Sequence, residues 1–297
     1  MHAAPVICLI AVLLAAGPVS AGSWTYQDEQ HWARQCQEGH LQSPIPLSLE
    51  IAKEKEFHHL RLQGYSQTVK AILKNNGHSA EVRLDIPEDQ KPIASGGGLA
   101  GSYQLDHLHF HWQSEHTLEG HRFPLELHLV HYGKDYGSLS NAVRHPQGVA
   151  VFAVMFELSP DDDEEFQPLL NIIAELQNNV GTPRQLAEFN VKNFLPRDTA
   201  GFYRYEGSLT TPDCNEGILW TVFTNTIPIS AKQVKIFEAM HDDHNALLEH
   251  NYRSLQSLNG RDVYVKISPI RASAKAIEVP SILLVTSLAL IFSFLKF

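Results

Sequence analysis

His109, Phe110 and His111 set two imidazoles two residues apart, and His128 follows seventeen residues after His111. Side chains at i and i+2 of a β-strand share a face, so His109 and His111 can reach one point in space. His128 lies in a second β-like run, Pro124-Leu125-Glu126-Leu127-His128-Leu129-Val130. Paired against the first, that run brings a third imidazole to the same point. Three neutral nitrogens and one open position make a catalytic Zn²⁺ site, whereas a structural site is closed by four protein ligands. The competing reading is three ordinary histidines in a chain that holds 17. Glu126 repeats the i, i+2 relation with His128. A carboxylate there accepts the second N–H of a ligand histidine, fixes its tautomer and raises its basicity; otherwise it is a surface acid.

The elements that must position these residues are mostly strands. Apolar, β-rich runs recur at 69–73, 107–112, 125–131, 149–158, 218–223 and 263–267. Residues 148–157 are apolar nearly throughout, as in a strand buried on both faces. Two helices are predicted. One opens at Ser159-Pro160, with serine as cap, proline at the first helical position and the acids 161–165 in the first turns. Phe166, Leu169, Leu170, Ile173 and Leu176 form its apolar stripe. The acidic run therefore reads as a solvated helix start, against the alternative of a calcium site. The other helix opens at Ser230-x-x-Gln233, a capping box, and Val234, Phe237, Met240, Leu247 and Leu248 continue its buried face. The pattern predicts a mainly β protein with peripheral helices (α+β), a single domain on a large twisted, mostly antiparallel central sheet.

Both ends of the 297-residue chain read as removable. Residues 6–16 are a short apolar run, broken by Gly17-Pro18 and followed by Val19-Ser20-Ala21, a small-x-small cleavage site. This predicts a signal peptide over 1–21, although the segment before the run lacks Lys and Arg. A membrane anchor is the weaker alternative because the run is too short to span. At the other end Ala272-Ser273-Ala274, a spacer through Pro280 and the apolar stretch 282–297 read as a lipid-anchor signal. Attachment is expected at Ser273, with 274–297 removed as a propeptide; a retained tail helix is the alternative. The catalytic domain then spans 22–273. Its formal charge is −11, with 21 basic and 32 acidic residues, which argues against a nucleic-acid partner or a basic lipid-binding patch. Cys8 leaves with the signal peptide, and Cys36 and Cys214 remain. Two cysteines in an oxidising compartment suggest one disulfide, against two free thiols. No Asn-x-Ser/Thr sequon is present.

The segments Leu108-His109-Phe110-His111-Trp112, Ser114-Glu115-His116-Thr117, Glu126-Leu127-His128-Leu129-Val130-His131 and Gly207-Ser208-Leu209-Thr210-Thr211-Pro212 together resemble the α-class carbonic anhydrases. Asn75-Asn76-Gly77-His78, Gln42-Ser43-Pro44-Ile45 and Asn251-Tyr252-Arg253 do so as well, in family order from Trp24 to about Ile267. With the signal peptide, the cysteine pair and the tail, the chain resembles the extracellular, GPI-anchored branch, types IV and XV. The resemblance implies reversible hydration of CO₂ to bicarbonate on zinc held by His109, His111 and His128. It implies that Glu115 and Thr210 orient the attacking oxygen, and that the Thr210 backbone N–H meets substrate or small anions. It implies an apolar CO₂ wall of Val130, Val151, Leu209, Ile218 and Trp220, with Thr211 also lining the substrate site; each of the five is also a good core residue. His78 matches the proton shuttle, Tyr26, Asn76 and Thr211 order the waters that serve it, and Asn251 belongs to the shell behind the ligands. Implied partners are CO₂, bicarbonate and small anions, the membrane through the anchor, and bicarbonate or proton transporters. The alternatives are a non-enzymatic recognition ectodomain on the same scaffold, which the retained ligands argue against, or a zinc esterase side activity.

Three departures from the family pattern stand out. The residue two before the first zinc histidine is commonly Gln bonded to that histidine. Here it is His107, which can accept the His109 N–H only while neutral. Glu81, three residues beyond His78, is expected to favour protonated His78 and raise its pKa. Finally, Pro212 is followed by Asp213 where a second proline is common. A cis bond before a non-proline costs about 2.5–4 kcal/mol, which leaves the loop geometry beside Cys214 open.

Overall fold

The computed structural model describes residues 24–269. The expected signal peptide, the Ser273 anchor site and the 274–297 propeptide lie outside the described residues. Ten strands run in one continuous order through a sheet of thirteen. In chain order they are β1 Lys53–Glu54, β2 Thr68–Asn75, β3 Ala80–Leu84, β4 Tyr103–Trp112, β5 Leu125–Gly133, β6 Val149–Ser159, β7 Arg184–Asn190, β8 Phe202–Ser208, β9 Glu216–Phe223 and β10 Val263–Lys266. Across the sheet the order is β7-β2-β3-β4-β5-β6-β9-β8-β10-β1. Most pairings are antiparallel; β6 with β9 and β10 with β1 are parallel. The predicted mainly β architecture on a mostly antiparallel sheet is the observed one. Each predicted run is a strand, with bounds shifted by a few residues.

β6 sits mid-sheet, and its residues Val149–Phe156 are all buried. Such a strand has no polar face because both of its faces are covered. One face of the sheet packs on α1 (Gln167–Leu176) and α2 (Ala231–Glu238), joining Phe110, Phe156, Leu170, Ile173 and Phe237 in one core. The other face gathers Val130, Val151, Ile218 and Trp220. A ten-residue helix is marginal alone, so α1 depends on burying Leu169, Leu170, Ile173 and Leu176. Each of these contributes roughly 1.5–3 kcal/mol relative to exposure.

The first helix does not open at Ser159. β6 runs through Ser159, which pairs with Ser230 in a parallel ladder. The acids 161–165 form the approach to α1. Gln233 holds that approach, its Oε1 accepting from Asp163 N at 2.9 Å and its Nε2 donating to Asp163 O at 2.8 Å. The ladder captured the residue that local capping chemistry had assigned to a helix. α2 does open with the expected capping box at Ser230 and Gln233, but it ends at Glu238. Leu248 is buried from a later loop, whereas Leu247 is exposed. No helix among the described residues is long and apolar enough to cross a membrane.

Candidate metal centre

β4 and β5 pair antiparallel with His128 opposite His109 and Glu126 opposite His111. Alternation along both strands then puts all four on one face. Ligand atoms of His109, His111 and His128 lie within 4.8 Å of one another. His111 and His128 are buried, and His109 keeps partial exposure. His111 Nδ1 donates to Asn251 O at 2.6 Å. A carbonyl only accepts, so Nε2 of the neutral ring carries the lone pair. His128 Nε2 donates to Glu126 Oε1 at 2.7 Å, leaving the lone pair on Nδ1. These two lone pairs face each other across 3.1 Å. Two acceptors held that close require a cation between or beside them. Nitrogens each about 2.0–2.1 Å from one tetrahedral zinc would sit roughly 3.3 Å apart. Burial, reinforced by neighbouring histidines, lowers the pKa of His109 well below the ordinary range and lowers that of His128. Both therefore hold the neutral form that a metal needs.

Behind the ligands stands a buried polar network. Glu126 Oε1 also takes His116 Nδ1 at 2.7 Å, and its Oε2 takes His116 N at 2.9 Å. His116 Nε2 meets Tyr205 Oη at 2.6 Å, and Tyr205 Oη donates to Ser43 Oγ at 3.0 Å. Although burial opposes it, the pKa of Glu126 is held well below the carboxylate range by His116 and His128. Asn251 is a second hub. Its Nδ2 donates to Phe110 O (2.8 Å) and His78 O (3.0 Å), and its Oδ1 accepts from Trp112 N (2.8 Å). One side chain thus ties β4 to the loop that carries His78.

Glu115 is wholly buried, and its Oε1 accepts from Arg253 N at 2.9 Å. Its Oε2 has no hydrogen-bond partner among the described residues and stands 3.7 Å from His111 Nε2 and 3.9 Å from His128 Nδ1. An orphaned buried carboxylate oxygen beside two facing lone pairs is costly without a cation or a hydroxyl donor. The donor set therefore fits Zn²⁺. The anticipated Thr210–Glu115 hydrogen bond is not among those of the described residues. Thr210 is buried in the loop after β8. In that loop Thr211 O accepts from Cys214 N at 2.8 Å.

The apolar residues fall where a wall would need them. Val130 pairs with Val151 and Val151 with Trp220 across adjacent strands. Ile218 joins them, and Leu209 packs on the cluster half-buried. The Trp220 ring lies 4.9 Å from the His128 ring, edge to face. His78 stacks on Trp24 at 3.8 Å. Burial lowers its pKa, with Asp243 and Asp242 opposing. Asn76 Oδ1 accepts from the backbone of His78 and Ser79. Tyr26 is buried against Trp24 and Trp32; burial, Glu115 and Glu29 raise its pKa well above normal.

Two expectations are corrected. Glu81 does not raise the pKa of His78. It faces His109 across the β3–β4 ladder, receives Arg83 Nε at 2.7 Å and Asn76 Nδ2 at 3.2 Å, and is spoken for by those donors. His107 makes no hydrogen bond to His109 among the described residues. Its Nδ1 donates to Asp106 Oδ2 at 2.7 Å, and its ring stacks on His109 at 5.2 Å. Asp106, pinned by Arg83 Nη1 at 2.9 Å, takes the Nδ1–H and leaves the acceptor lone pair of the neutral ring on Nε2.

Cys36 and Cys214 form a disulfide across 178 residues. The Pro212–Asp213 peptide is cis, as is Ser43–Pro44. The roles of His116 and Arg253 were missed from sequence. The guanidinium of Arg253 donates to Gln42 Oε1, Ser43 O and Cys36 O. Both residues lie inside the Ser114–Thr117 and Asn251–Arg253 segments, but only their spatial partners reveal what they hold.

A family model of eukaryotic-type carbonic anhydrases matches residues 27–267. Carbonic anhydrase 12 of Homo sapiens is 35% identical over 93% of this chain and 83% of that protein. Carbonic anhydrase 4 of Oryctolagus cuniculus is 33% identical over 83% of this chain and 82% of that protein. Carbonic anhydrase 15 of Mus musculus is 31% identical over 86% of this chain and 87% of that protein.

Proposed function

Because the chain belongs to the eukaryotic-type carbonic anhydrase family, we propose that it hydrates CO₂ reversibly to bicarbonate with zinc held by His109, His111 and His128, on the outer face of a cell membrane. The observation that carries this reading is the facing, tautomer-fixed nitrogen pair of His111 and His128 beside the orphaned oxygen of Glu115. Bound zinc supplies a Lewis acid that brings the ionisation of water from 15.7 down to about 7, a value established for carbonic anhydrases.

The remaining work falls to the chain. Val130, Val151, Leu209, Ile218 and Trp220 offer CO₂ an apolar wall beside His128; CO₂ has no charge to grip, so the wall concentrates it without fixing it tightly. Glu115 Oε2 can only accept, so a Thr210 hydroxyl that donates to it must itself accept from the attacking oxygen. That relay aims a lone pair at the carbon, a gain in orientation. His78 takes the proton out. Its lowered pKa keeps it an unprotonated acceptor at neutral pH. Replacing His78 with alanine is expected to cut turnover about a hundredfold in weak buffer, with added imidazole restoring it. Stopped-flow hydration at two buffer strengths reads this; a His78→Ala chain indifferent to imidazole places the proton exit elsewhere.

The extracellular address rests on the disulfide, which fits an oxidising compartment, and on the two terminal sequence signals. Attachment at Ser273 predicts that a phosphatidylinositol-specific phospholipase releases the cell-bound protein into the medium. Retention on the cell after that treatment argues for a tail that stays.

A further inference from the structure

Arg204 lies on β8 between Tyr203 and Tyr205. Tyr205 turns toward the metal centre, where its hydroxyl meets His116. Alternation therefore sends Arg204 to the opposite face of the sheet. Thr221 is its cross-strand partner on β9. Arg204 is 3% exposed and Thr221 0%. Arg204 Nη2 donates to Gly97 O at 2.7 Å. Its Nε and Nη1, and the hydroxyl of Thr221, have no hydrogen-bond partner among the described residues. The ring of Phe202 lies 5.4 Å from the guanidinium carbon. Tyr103 is close enough to act on its charge, but the Tyr103 hydroxyl is already committed to Gln147 O at 2.5 Å. No carboxylate pairs with Arg204 among the described residues.

We propose that Arg204 and Thr221 form a buried binding site for a small monovalent anion, separate from the metal centre. A buried charge without a counter-charge is strongly unfavourable. Burial lowers the pKa of Arg204 to about 10, so the group is still charged at neutral pH. Three N–H bonds on Nε and Nη1 and one hydroxyl define a cradle rich in donors. Water meets their hydrogen bonds but leaves the charge unbalanced. A halide or compact oxyanion meets both needs, and the near-complete burial of both residues limits its size.

Two measurements test this on the zinc-loaded protein. In the first, chloride replaces gluconate at constant ionic strength while Tm is followed. Each tenfold rise above Kd is expected to raise Tm by about 3–5 °C, and Arg204→Met is expected to lose most of that slope. Any anion effect at the metal centre persists in the variant, so the difference between the two slopes isolates Arg204. Equal slopes overturn the proposal. In the second, crystals of the parent protein are soaked in sodium bromide, which needs no variant to fold. An anomalous peak within hydrogen-bond distance of Arg204 Nε or Nη1 and Thr221 Oγ1 supports the site. An ordered water there without anomalous signal overturns it.

Discussion

A His128→Ala chain is expected to hydrate CO₂ at least about a thousandfold more slowly than the parent and to purify without zinc. The size follows from what His128 contributes. Its Nδ1 is one of the facing nitrogens, 3.1 Å from His111 Nε2. Its Nε2–H is one of two donors that satisfy Glu126 Oε1, the other being His116. Alanine removes the ligand and leaves that carboxylate oxygen short of a donor in a dry interior. Glu126→Gln provides the contrast. All three ligand nitrogens remain, but the amide lacks the charge that makes His128 more basic, so zinc affinity is expected to fall only about 10–100-fold. Metal analysis with stopped-flow hydration reads both variants. Full zinc occupancy in His128→Ala would remove this residue from the ligand set.

The second large effect is on stability. The Cys36→Ser/Cys214→Ser double variant is expected to lose about 4–5 kcal/mol, because the bridge closes a very long loop and limits the unfolded chain. For a domain of this size that corresponds to a fall in Tm of roughly 10–20 °C, read by scanning calorimetry. The loss should reach the active site. Cys36 O accepts from Arg253, whose backbone N–H holds Glu115. Cys214 N donates to Thr211 O in the loop that carries Thr210. Hydration measured well below the new Tm is therefore expected to drop as well. A transition within 2 °C of the parent contradicts the structural role of the bridge.

The candidate metal centre is legible because it uses the simplest periodicity in proteins. His109 and His111 share a face by alternation alone, and Glu126 and His128 do so too. What sequence lacked was the register that puts His128 opposite His109; without it, convergence is one possibility among several. Ser159 shows how local chemistry can mislead. Serine followed by proline is a sound helix start, yet pairing with Ser230 kept Ser159 in a strand. His107 shows what a short motif leaves open: the fold gives its Nδ1–H to Asp106 and stacks its ring on His109, an arrangement no spacing encodes. His116, Arg253 and the Arg204–Thr221 pair were illegible for a common reason. Their partners lie across the sheet or far along the chain, and no short motif encodes them.

The most direct test of the zinc reading is metal content and CO₂ hydration measured on the same preparation of the protein, before and after chelation. The expected result is one equivalent of zinc, hydration lost with the metal, and hydration restored by one equivalent of added zinc. Undiminished hydration by protein shown to be free of metal would contradict it.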